Sequence, residues 1–159
     1  MGRVLRILEE RKIYFEKRRP HLVSLIGLRD LERFIHTGMV GRLGLPVAVR
    51  ALRIAAARRE VLRIADLMEN QPLHVQLGLI NEAMPASTFQ LFIRPQRTVV
   101  VVSPFRFGEP PNIRNGIATV TASADAVRMH RQMIDSLWKT AYKGIGGARR
   151  LHRLLDSIH

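Results

Sequence analysis

At Leu73 the spacing of the apolar residues changes, and that change constrains the possible folds more than any other feature of the chain. Upstream, apolar residues recur every three to four positions, the period of helices with one buried face. Downstream they gather into four short runs: LHVQLGLI from Leu73, TFQLFI from Thr88, TVVVVSPF from Thr98 and GIATVTA from Gly116. Turn-forming residues separate the runs, at Asn81 to Ser87, at Arg94-Pro95-Gln96 and at Gly108 to Asn115, so each reads as a strand. Four strands in succession imply a sheet. Val99 to Val102 lacks polar alternation, which predicts a central strand covered on both faces.

Helical segments flank these strands. Val4, Ile7, Leu8, Tyr14 and Phe15 share one side of Gly2 to Arg18, so residues 1–19 read as an amphipathic linker or dimerisation helix, stopped at Arg18-Arg19-Pro20. His21 to Gly27 reads as a short strand and Arg29 to His36 as a brief helix. Pro46 suits the first turn of a helix with Arg42, Arg50 and Arg53 on one side and Val49, Leu52, Ala55 and Ala56 on another. After Arg58-Arg59 the apolar arc moves roughly opposite, to Val61, Ile64, Ala65 and Met68. That shift predicts a break, or a long helix clamped between the core and a second subunit. Ser123 is a suitable N-cap, with Asp125 in the first turn of a helix whose apolar stripe is Val127, Met133, Ile134, Leu137, Trp138 and Ala141. Gly144, Gly146 and Gly147 are expected to end it, before a last helix burying Leu151, Leu154, Leu155 and Ile158. The expected fold is α+β: a single domain over residues 20–159, with one mixed or antiparallel sheet of four to five strands packed with helices.

The chain has 159 residues, suited to one domain, and no apolar run near the ~20 residues needed to span a bilayer. Alternating charges open it where a signal peptide would be apolar, and it has no cysteine, so a soluble, cytoplasmic protein is expected. Familiar catalytic patterns are missing. His21, His36, His74, His130, His152 and His159 show no metal-binding spacing, no phosphate-binding loop or dinucleotide fingerprint occurs, and no serine sits in a nucleophile elbow. Glu82 and Glu109 are too sparse to make a carboxylate pair. No catalytic residue, metal or cofactor is therefore expected, and the reading is a binding protein.

Two sets of binding residues stand out. The first surrounds SPFRFGEPPNIRNG, which leaves the expected central strand and re-enters the sheet. Ser103, Arg106, Glu109, Asn112 and Arg114 there are candidates for a small-ligand pocket, with the two arginines able to grip a carboxylate or phosphate. His130 joins them from the apolar arc of its helix, where a histidine bonded to backbone is the competing role. The second set follows from a net charge of +13, in which lysine supplies only Lys12, Lys17, Lys139 and Lys143. Arg18, Arg19, Arg50, Arg53, Arg58, Arg59, Arg149, Arg150 and Arg153 could contact a nucleic-acid backbone. Aromatic residues are scarce at 6%, which disfavours a single-strand stacking surface.

The stretch REVLRIADLMENQPLHVQLGLINEAMPASTFQLFIRPQRTVVVVSPF resembles the C-terminal sensor half of bacterial XRE-type helix-turn-helix regulators. GIATVTASADAVRMHRQMIDSLWKTA is similar to the last strand and helix of phospholipase D-like modules, and the resemblance covers roughly residues 58–143. Where the active enzymes carry His-x-Lys-x4-Asp, this chain has Thr88, Gln90 and Pro95, none able to act as nucleophile, cation or acid. The resemblance implies a phospholipase D-like half-unit that binds without chemistry. It also implies a homodimeric sensor of an unknown small-molecule effector, with DNA contacted through a helix-turn-helix domain absent from this chain and no membrane partner.

Overall fold

The computed structural model describes residues 10, 13–14, 17–18, 21–38, 44–81, 85, 87–104 and 117–158. In the lead-in segment, Glu10, Ile13, Tyr14, Lys17 and Arg18 are helical and exposed, and the Arg18 guanidinium lies 5.3 Å from the centre of the Tyr14 ring. Strand β1 (Leu22–Gly27) runs directly into helix α1 (Leu28–His36). Helix α2 (Val47–Asn70), strands β2 (Val75–Ile80), β3 (Thr88–Ile93), β4 (Thr98–Ser103) and β5 (Thr119–Thr121), helix α3 (Ala124–Thr140), strand β6 (Tyr142–Lys143) and helix α4 (Gly144–Ser157) follow. None of the described helices is long and apolar enough to cross a membrane.

The fold is α+β, but its strands form two three-stranded sheets in place of the single sheet expected. The first has the order β1-β2-β6, with β1 parallel to β2 and β6 antiparallel to it; the second has the antiparallel order β3-β4-β5. The physical reason lies in β2. Both of its edges are occupied, by β1 through the register Leu22↔Val75 to Gly27↔Ile80 and by β6 through Gly78↔Lys143 and Leu79↔Tyr142. It has no edge left for β3, so the later strands pair among themselves. Strand β4 is central in the second sheet, as its apolar run predicts, yet only Val100 is fully buried and its neighbours are half-covered.

One core unites the first sheet with three helices: Leu31 and Ile35 from α1, Val61, Ala65 and Met68 from α2, Leu79 from β2, and Ala148, Leu151 and Leu155 from α4, closed by Ile158. Helix α2 is continuous through its 24 residues, with no break at Arg58-Arg59. No glycine or proline lies inside it, and its buried positions Ala57, Val61, Ala65 and Met68 form one straight stripe at helical spacing. It ends where Gln71 turns into the left-handed region (φ 43°) ahead of Pro72. The glycines expected to end α3 instead open α4: Gly144 takes φ 52°, and Gly147 has no Cβ to meet the Met68 side chain and the Tyr142 carbonyl.

Helix α3 covers the opposite face of the first sheet while also touching β3 and β4, so it bridges the two sheets. Its stripe is accordingly shared and incompletely covered. Val127, Ile134, Leu137 and Trp138 are half-buried and Met133 is exposed; only Ala141, just past the helix, is buried. Ser123 occupies the N-cap position without a side-chain capping bond, and the helix begins with Val127 N–H donating to its carbonyl at 3.0 Å. Lys143 closes the other end, its ammonium donating to Trp138 O at 2.7 Å.

The contact between α3 and the first sheet depends on Gly78. A Cβ there would lie 2.9 Å from Ala141 Cβ and Trp138 Cζ3 and 3.0 Å from Leu25 Cδ2. Gly78→Ala is expected to destabilise the fold by about 1–3 kcal/mol, the range for forcing a methyl into a packed core. Urea denaturation measures it, and an unchanged midpoint would show that α3 does not seat this closely.

Candidate functional site

Of the six expected pocket residues, Ser103 and His130 lie within the described structure; Arg106, Glu109, Asn112 and Arg114 lie outside it. Ser103 ends β4, paired with Thr88, one step from the pair Phe89↔Val102. His130 packs its ring edge on Phe89 with centroids 4.8 Å apart and planes at 73°, which brings it to the same end of the second sheet as Ser103. Its Nδ1 donates to Ala126 O at 2.7 Å, one turn back along α3. A carbonyl only accepts, so Nδ1 carries the proton and Nε2 is the nitrogen left to accept when the ring is neutral. This histidine ties α3 to the sheet, the backbone-bonded role that competes with a ligand role for it.

The arginines expected to face nucleic acid divide into engaged and free groups. Arg58 directs both terminal nitrogens into the core side of the molecule: Nη1 donates to Ile158 O at 2.8 Å and Nη2 to Leu155 O at 2.9 Å. These carbonyls lie at the carboxyl end of α4, where the helix leaves acceptors unsatisfied and partial negative charge gathers. Arg150 stacks on Tyr142, its guanidinium 3.5 Å from the ring centre. The stem of Arg53 lies under the turn at Gly38, whose missing Cβ would fall 2.8 Å from Arg53 Cβ. Arg18 leans on Tyr14, and Arg19 lies outside the described residues. Arg50, Arg59, Arg149 and Arg153 are exposed, with no ion-pair partner among the described residues.

Parallel pairing of β1 and β2 places both of their carboxyl ends at one edge of the first sheet. There the chain leaves β1 directly into Leu28 and Arg29 of α1, and leaves β2 into Asn81. The last turns of α4 approach the same edge. Together they enclose an open concavity of about 360 Å³, lined by Leu28, Arg29, Glu32, Asn81, Arg150, Arg153, Leu154 and Ser157. Carboxyl ends of parallel strands are where ligands of open α/β sheets bind, because the loops diverge there and leave a crevice. Leu28 and Leu154 are its apolar residues, and three arginines and one glutamate are among its charged lining. No known protein family, curated protein or solved structure matches the chain.

Sequence reasoning nominated Arg150 and Arg153 for a different reason and missed Arg29, Glu32, Asn81 and Ser157. A signal was present: Arg29 and Asn81 each stand directly beyond a short apolar run, where a parallel pair would deliver its ligand contacts. That signal acquires meaning only once β1 and β2 are known to be neighbours.

The engagement of Arg58 can be checked by stability. Arg58→Ala removes two bonds from a charged donor and leaves two terminal carbonyls unsatisfied, so a loss of about 1–3 kcal/mol is expected, against less than about 0.5 kcal/mol for Arg59→Ala. Denaturant titration of the two variants measures the difference; equal, small losses would mean that the Arg58 fork does not hold α4.

Proposed function

We propose that this chain is a regulatory, ligand-sensing and self-associating domain of a bacterial transcriptional regulator, and that it works by binding without chemistry of its own. The observation that supports the reading best is the two-sided character of α2. Its core stripe, Ala57, Val61, Ala65 and Met68, anchors only the second half of the helix. On the side facing away from the core, Ala48, Leu52, Ala55, Arg59 and Leu62 follow one another at alternating steps of four and three, and all are exposed. Leu52 is 72% exposed, and Val47 at the free end of the helix 86%. A mostly apolar seam at that spacing, rich in alanine and so permitting close approach, is what a second helix of the same kind packs against. Two-fold symmetry makes such a seam complementary to itself. DNA contact then belongs to a helix-turn-helix domain outside this chain, and the sensing role to a small effector.

A second reading is favoured by four exposed arginines, Arg50, Arg59, Arg149 and Arg153, without ion-pair partners among the described residues: the chain itself contacts a phosphate backbone. The two readings separate in a single set of solution measurements. Self-association predicts a dimeric mass by light scattering, falling to the monomer on Leu52→Glu, which sets a charge in the seam. A monomer at every concentration, or a dimer indifferent to Leu52→Glu, removes that reading. Backbone contact predicts duplex affinity that falls steeply with salt and weakens with Arg50→Ala/Arg59→Ala; a flat salt response removes the second.

A further inference from the structure

We infer that the concavity at the carboxyl ends of β1 and β2 binds a small organic molecule carrying a dianionic oxyanion such as a phosphate monoester. This deepens the sensing reading by naming a site and a ligand class. Only the regulatory consequence rests on that reading; the binding itself does not.

The first argument is charge. Arg29, Arg150 and Arg153 line one concavity of about 360 Å³ with Glu32 as the only described carboxylate among its lining residues, an excess of two positive charges. Neither Arg29 nor Arg153 has an ion-pair partner among the described residues. Gathering like charges around a concavity costs free energy that a bound dianion removes. Two carbonyl acceptors beside the site are engaged by Arg58. The carboxyl end of α4 borders the site through Leu154 and Ser157, and its free carbonyls at Leu155 and Ile158 are occupied by Arg58 from the far side.

The second argument is preorganisation. Arg150 is stacked over Tyr142, its guanidinium 3.5 Å from the ring centre, which restrains its planar fork before any ligand arrives. Arg29 sits in the first turn of α1, directly after β1, and Arg153 projects from α4 one turn beyond Arg149 and Arg150. The third argument is composition. Leu28 and Leu154 provide apolar lining and the Asn81 amide a neutral donor, while the Ser157 hydroxyl is spent on Leu154 O at 2.8 Å, the mixture of apolar and polar groups found in small-molecule sites and not on a flat electrostatic surface. The volume suits a compact metabolite. Its position at one end of the parallel pair, and the apolar lining, favour a small ligand over an extended backbone.

The test uses the whole chain and two probes, inorganic phosphate and phenyl phosphate, titrated calorimetrically at constant ionic strength. Saturable binding of both is expected, with phenyl phosphate tighter because of the leucine lining. Arg29→Ala/Arg153→Ala should weaken both at least about tenfold while circular dichroism stays unchanged. Arg50→Ala/Arg59→Ala, which removes the same charge elsewhere, should leave them within about twofold. Absence of saturable binding, or equal losses in the two double variants, overturns the site. So does duplex DNA that displaces phosphate with the same dependence on Arg29 and Arg153, since the concavity would then be a backbone contact. A monomer that binds phosphate at this site would sink the self-association reading and keep the inference; a dimer that binds neither probe would do the reverse.

Discussion

The seam between α2 and α4 is the contact on which the rest of the structure depends. Ala65 and Met68 meet Ala148 and Leu151 across it, and Gly147 lets the helices close by offering no Cβ to Met68. Small residues at such a crossing bring backbones near enough for dispersion contacts to accumulate over the whole length. Both ends of the seam are then tied by polar groups: Arg58 to the last carbonyls of α4, and His152 Nε2 to Glu69 Oε1 at 3.2 Å. Leu79 of β2 enters the same core, so the sheet is positioned by the helix pair and the parallel strands end beside the carboxyl turns of α4.

Much of the secondary structure was legible in the sequence, and the pairing was not. Strands β1 to β5 and helices α1 to α4 lie close to where apolar spacing and turn residues put them, because both are local signals. Pairing is a long-range choice. Nothing in VQLGLI says that its neighbours are LVSLIG from the start of the chain and a two-residue strand at Tyr142–Lys143, and a strand of two residues has no period to detect. The single-sheet expectation failed for that reason. The sequence leaves α2 open between a break and one long helix for a related reason: a rotating apolar arc looks like a break until the first half of the helix is seen to expose its apolar side among the described residues.

The arginines show the limit of reading charge from composition. A net charge of +13 treats every guanidinium alike. The fold separates them by what lies within reach. Arg58 closes a helix, Arg150 is stacked on Tyr142, Arg53 lies with its stem beneath a turn, and Arg50, Arg59, Arg149 and Arg153 face solvent. Arg58 and Arg59 are adjacent in sequence, yet one is committed to the core side and the other to the exposed seam of α2. Only burial and partners distinguish them, and neither is a property of the residue type.

This division also bears on how a ligand would be felt elsewhere. The last turns of α4 carry Leu154 and Ser157 toward the concavity and the carbonyls of Leu155 and Ile158 toward Arg58. A ligand bridging Arg150 and Arg153 acts on the turns that Arg58 holds from α2. The exposed seam begins beside that same arginine, at Arg59 and Leu62. Linkage requires only that the ligand favour one arrangement of these turns over another, and couplings of about 1–3 kcal/mol are ordinary for sites joined by a packed helix pair. The fork of Arg58 on α4 is one of the contacts, with the packed seam and the His152–Glu69 pair, through which an effect of the ligand on self-association would pass.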